Sequence, residues 1–125
     1  MNGLKKFVIQ RHERQNEPLR QAQGRSTHWD LMLETGDFLE TYRIGKPPEQ
    51  WGSEPIEVVR IFDHSLNFLT YEGPVNKGKG DVKIADRGTY SIVTKNMSRL
   101  IINFDGIILR DEFTFATGGD RARRE

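Results

Sequence analysis

The chain of 125 residues contains no cysteine, which excludes disulfides, thiolate metal sites and cysteine nucleophiles together. Any metal must therefore be held by His, Asp or Glu. The chain also lacks a long apolar run, its N-terminus "MNGLKKFVIQRHE" included, so no signal peptide or membrane span is visible and cytoplasmic residence without a membrane partner is expected. Strong net charge is missing too, at +1, which removes an overall polyelectrolyte match to nucleic acid. Locally the balance differs: within residues 1–25, Lys5, Lys6, Arg11, Arg14, Arg20 and Arg25 face only Glu13 and Glu17, an excess of four positive charges.

Apolar residues supply 35% of the chain and charged residues 30%, with 12 Gly and 5 Pro. That composition folds, with a thin core and many turns. The length fits one domain, expected over 1–116, with "TGGDRARRE" (117–125) as a disordered basic tail. Strand-like stretches recur at Lys6–Arg11, His28–Glu34, Phe38–Ile44, Glu57–Phe62, Asp81–Ala85, Thr89–Thr94, Arg99–Phe104 and Ile107–Phe115. Thr35-Gly36 and Asp105-Gly106 read as hairpin turns. This spacing predicts an all-β fold, a small antiparallel β-barrel of about eight strands. Two segments read as loops: Glu13–Thr27, with a short helical turn near Pro18–Gln23, and the Pro- and Gly-rich Gly45–Pro55.

The three histidines, His12, His28 and His64, each lie at or beside a strand end. In "STHWDLMLE", strand alternation puts His28, Asp30 and Met32 on one face, so that the imidazole and the carboxylate can share an ion. Two imidazoles and a carboxylate suit Mn, Fe or Zn. On residue types alone the same set serves a metal-dependent hydrolase or the facial triad of a non-haem Fe(II) oxygenase; it also serves as two polar residues on a wet strand face.

The order of motifs is more specific. "FVIQRH", "HWDLMLE", "GDFLETYRIGKPP", "FDHSLNFLTYEGPV", "GKGDVKIADRGTY" and "INFDGIILRDEFTF" follow one another over residues 7–115. In this order they resemble the phosphoesterase domain of bacterial DNA ligase D and its free-standing relatives. The resemblance implies a β-barrel that binds Mn²⁺, or another divalent metal such as Zn²⁺, and removes 3′-terminal ribonucleosides and 3′-phosphates from nucleic-acid ends in DNA repair. Its partners would be DNA or DNA–RNA primer ends and a separate ligase or polymerase, and a monomer is expected.

By position, the resemblance makes His12, His28 and Asp30 the metal ligands and His64 the residue that contacts the reacting phosphate and acts as general acid. Two positions depart from the family pattern: its phosphate-gripping arginine falls on Met32, and its tyrosine after the phosphate histidine falls on Phe68. Methionine supplies neither charge nor a bidentate fork, so a catalytically weak or inactive module of the same fold that binds nucleic acid or phosphate is the alternative reading. Arg14, Lys46, Arg60 and Arg87 are the candidate replacement cations. Lys46 matches a family turn lysine and is grouped with Arg60 as catalytic; Arg14, Arg87 and Gln10 are grouped as weaker phosphate contacts. The sixteen-residue spacing of His12 and His28 makes Glu13–Thr27 look like an insertion at the rim of the site.

Overall fold

A computed structural model describes residues 4–15 and 25–117. Nine strands form: β1 (Lys5–Gln15), β2 (Arg25–Thr35), β3 (Phe38–Ile44), β4 (Ile56–Glu57), β5 (Val59–Ser65), β6 (Gly73–Val75), β7 (Gly80–Lys95), β8 (Arg99–Gly106) and β9 (Glu112–Ala116). Among the described residues the only helical pieces are 3₁₀ turns at Pro48–Gln50, Leu66–Leu69 and Asn76–Gly78. The fold is all-β, as the periodicity predicts.

The strands form one sheet in the order β4-β9-β8-β7-β1-β2-β3-β5, with β6 added beside β7. Its ladder does not close, so the fold is barrel-like. Yet the edge strands β4 and β5 are separated in sequence by Val58 alone, so the covalent chain brings the two edges together. Among the described residues one short pairing, β4 with β9, is parallel and the rest are antiparallel, so the sheet is antiparallel apart from that edge.

The rolled sheet has an inner and an outer face. Phe7, Ile9, Leu31, Leu33, Tyr42 and Ile44 alternate inward from β1, β2 and β3. They meet Trp51, Ile102, Phe104 and Phe115 in one core, where Trp51 and Phe104 pack edge-on or tilted against Phe113 and Phe115. A smaller outer cluster of Val8, Met32 and Leu39 is covered by Phe68, Leu69 and Ile84. The strands β1 to β3 are therefore buried on both faces near their middles.

Several boundaries differ from the sequence reading. The β2–β3 turn is Gly36-Asp37, because Thr35 pairs with Phe38; Gly36 has φ +64, a left-handed value that glycine adopts at little cost. Asp81–Ala85 and Thr89–Thr94 are one continuous strand, bulged against β1 at Ile9/Gln10. Asp105 and Gly106 end β8 instead of forming a turn. The reason is Asp86: its buried carboxylate accepts the N–H groups of Ile107, Ile108 and Leu109 at 2.8–3.1 Å, which moves the reversal beyond Gly106 and starts β9 only at Glu112. The expected loop Glu13–Thr27 is strand at both ends, and its helical turn near Pro18–Gln23, like 118–125 of the expected tail, lies outside the described residues.

Candidate active site

The outer face of β1, β2, β3 and β5 carries the histidines, and ladder register sets which of them meet. His12 pairs with His28, Gln10 with Asp30, and Val8 with Met32. Across β2–β3, Asp30 pairs with Arg43 and Met32 with Thr41. Paired residues share a face, so this face is a small grid. Its first row is His12 and His28, its second Gln10, Asp30 and Arg43, and its third Val8, Met32 and Thr41.

His12 Nδ1 lies 3.0 Å from His28 Nε2, and His28 Nε2 lies 3.4 Å from Asp30 Oδ2. One donor atom from each of the three fits within a 4.8 Å span. Donors bound at about 2.1 Å to one ion stand about 3.0–3.5 Å apart in octahedral or tetrahedral shells, so the set fits a single divalent ion. The two facing ring nitrogens are within hydrogen-bonding distance of each other.

Charge conditions the ligands. Burial, then His28, lowers the pKa of His12, so it is neutral and able to ligate at pH 7. Burial pushes Asp30 up, but hydrogen bonds from His28 and Arg43 outweigh it and hold the carboxyl below its usual range. Arg43 Nε donates to Asp30 Oδ1 at 3.2 Å. The far nitrogen of His12, Nε2, is buried with no hydrogen-bond partner among the described residues. It rests on Gly80, where any Cβ would stand 2.8 Å from Nε2, so this ring is held by close backbone packing rather than by a second hydrogen bond.

His64 joins the same face through a β-bulge. It pairs with Leu39 while Ile61 pairs with Thr41, so β5 carries an extra residue between them. Its Nδ1 lies 2.9 Å from Thr41 Oγ1, and that hydroxyl donates to the Leu39 carbonyl at 3.0 Å. With the hydroxyl proton so engaged, Nδ1–H of His64 is the donor to Thr41 Oγ1, and the Phe62 backbone also hydrogen-bonds the ring. Burial lowers the pKa of His64. Phe62 and Phe68 flank the ring at centroid distances of 4.8 and 5.4 Å.

The structure thus brings together His12, His28 and Asp30, with His64 two rows away. The other sequence candidates lie at different places around or away from this cluster. Gln10 is committed to the loop over the site, donating from Nε2 to the carbonyls of Phe68 and Tyr71 at 3.0 Å. Arg60 pairs with Tyr42 on the inner face and reaches Glu40 and Asp63. Lys46 is exposed beyond the end of β3. Arg87 pairs with Val8, four residues or about 13 Å along β1 from His12, and borders a groove with Lys6, Leu69 and Thr70. Arg14, two residues beyond His12, lies in a cleft with Lys79 and Asp81. Met32 is 1% exposed within the outer cluster.

Arg43, Thr41 and Gly80 escape the sequence reading. For Arg43 the missing signal is one residue of turn register: a turn at Thr35-Gly36 sets Thr41 opposite Asp30, whereas the turn at Gly36-Asp37 sets Arg43 there.

The family model described as the DNA Ligase D 3′-phosphoesterase domain matches residues 20–121, a span that holds His28, Asp30 and His64 and begins after His12. The multifunctional non-homologous end joining protein LigD of Mycolicibacterium smegmatis is 32% identical over 88 residues, 68% of this chain and 10% of that protein. Its namesake in Pseudomonas aeruginosa is 26% identical over 92 residues, 71% of this chain and 10% of that protein. The matched region is thus about a tenth of each relative's length. With most of its length matched by one family model, the chain belongs to the DNA ligase D 3′-phosphoesterase domain family.

Proposed function

We propose that the protein is a metal-dependent 3′-phosphoesterase that trims 3′-terminal ribonucleotides or 3′-phosphates from nucleic-acid ends in DNA repair, with Mn²⁺ as the preferred ion. The observation that carries the reading is the convergence of His12, His28 and Asp30 in one row-to-row cluster with His64 on the same face. Family membership favours phosphoester chemistry over the oxygenase reading of the same ligand set.

His12, His28 and Asp30 would hold the ion, which when bound supplies Lewis-acid stabilisation of the phosphoryl oxygens. The chain's own residues do the rest. Thr41 holds the Nδ1 edge of His64, and Nε2 would be the atom presented to substrate. His64 is mostly neutral at pH 7 because burial lowers its pKa; the approach of a phosphate dianion favours the imidazolium, which then donates from Nε2 to the leaving oxygen. Phe68 and Tyr71 form the aromatic wall beside it and limit water around the transferring proton.

Incubation with Mn²⁺ and a primer ending in a 3′-ribonucleotide or a 3′-phosphate should release nucleoside or phosphate, and His12→Ala should reduce the rate at least a hundredfold, a scale set by loss of an essential ligand group. Absence of product from the wild-type protein under these conditions removes the reading. It would leave the binding module, which the apolar Met32 and the hydroxyl-free Phe68 favour.

A further inference from the structure

The polar floor of the site has an apolar gap at Met32, buried beneath it, and phosphate chemistry needs a cation close to the three clustered ligands. Among the described residues, Arg43 is the cation whose guanidinium touches one of them. It lies in the grid row between the His12–His28 pair and the Met32–Thr41 row that meets His64, so it borders the space between the candidate ligands and the candidate proton donor.

Its hydrogen bonding is half used. Nε is fixed on Asp30 Oδ1 at 3.2 Å, while Oδ2 of the same carboxylate faces His28. The Nη groups have no hydrogen-bond or ion-pair partner among the described residues. The Arg43 side chain is 38% exposed although its carboxylate partner is only 4% exposed, so one edge of the guanidinium is anchored below and the other looks out over the site. An anchored, planar fork with free N–H groups is organised in advance for two oxygens of one phosphate. Arg60 makes the contrast, since Glu40 and Asp63 both engage its guanidinium.

We propose that Arg43 grips the terminal phosphate in this site and selects a phosphate-bearing 3′ end over a 3′-hydroxyl end, its Nε edge held by Asp30 and its Nη edge on the phosphate oxygens. The assignment rests on the phosphoesterase reading for its substrate class.

The test measures binding of two fluorescent DNA oligonucleotides, identical except for a 3′-phosphate or a 3′-hydroxyl, by anisotropy in EDTA, so that metal-dependent turnover is suppressed. Wild-type protein should prefer the 3′-phosphate by roughly tenfold, the scale of one charge-assisted bidentate contact. Arg43→Gln should bring the two ends within about twofold, and Arg43→Lys should fall between. Mn²⁺ affinity, read by electron paramagnetic resonance, should change less than about tenfold in either variant, the lower bound for losing a residue that merely orients a ligand. Preference retained in both variants, or absent from the wild type, overturns the assignment. So does a larger loss of Mn²⁺ affinity in both, which would make Arg43 only a positioning residue for Asp30. A wild type that discriminates the ends but yields no product with Mn²⁺ sinks the hydrolase reading and leaves the role of Arg43 standing.

Discussion

Asp30 and Glu40 are two buried carboxylates on opposite faces of the same β2–β3 hairpin, and both are held below their usual pKa against the opposing effect of burial. What differs is who holds them. Glu40 takes the Tyr42 hydroxyl, Lys95 at 2.9 and 3.2 Å and Arg60 at 3.5 Å. Every one of those partners is a donor or a cation. Asp30 takes one arginine and one imidazole, and an imidazole can give up its proton near neutral pH. The first carboxylate is saturated and tied down; the second can exchange its imidazole contact for a shared metal. Similar burial and similar depression of pKa therefore accompany a saturated cluster on one face and the candidate metal cluster on the other, and only the partners tell them apart.

The sharpest way to break this comparison is to remove each carboxylate's charge. Asp30→Asn should lower Mn²⁺ affinity about a hundredfold or more, measured by calorimetric titration. Glu40→Gln should leave Mn²⁺ affinity unchanged and instead cost about 1–3 kcal/mol in urea unfolding, because a charge-assisted buried cluster loses its acceptor. If Glu40→Gln abolishes metal binding, the two faces are not independent.

A smaller effect separates ligand identity from ligand placement. Gly80→Ala keeps every donor but puts a methyl 2.8 Å from His12 Nε2, so the ring must shift. Mn²⁺ affinity should drop by roughly tenfold, the range seen when support around a ligand is disturbed, with the circular dichroism spectrum unchanged. Affinity equal to that of the wild type would show that the His12 ring does not depend on this packing.

The gentlest perturbation is pH. His12 and His64 have folded pKa values below 6.5, so the unfolded chain binds protons before the folded one does. Stability should therefore begin to fall as pH drops below 6.5. Asp30 and Glu40 are depressed from 3.8 and 4.5, so their contribution is present above those values and is lost as pH falls further, through the folded values. Acid unfolding should show an upper component that disappears in the His12→Gln/His64→Gln double variant and a lower one that remains. A single transition unchanged by the double substitution would contradict the buried, neutral state assigned to the two rings.

Much of this was legible in the chain. The alternation in "HWDLMLE" placed His28 and Asp30 together, because strand periodicity depends only on the two backbone dihedrals of each residue. The absence of cysteine confined the ligands to His and carboxylate. The convergence of His12 with His28 followed less directly, since a spacing of sixteen residues hides a register that only the ladder sets. Arg60 looked like a site cation by sequence proximity to His64 but shares the face of Tyr42 and pairs with Glu40 and Asp63, because the bulge between them puts His64 on the opposite face of β5.

By itself, then, the sequence determined the all-β class, the residue types available to a metal and the family, all of which rest on local periodicity, residue type and motif order. Tertiary structure alone decided that Arg43 stands beside Asp30, that Thr41 sets the tautomer of His64, that Gly80 seats His12, and that β4 and β5 bring the sheet's edges together. Each of these depends on a one-residue choice of turn, bulge or register, and in a β-sheet one residue decides both the cross-strand neighbour and the face.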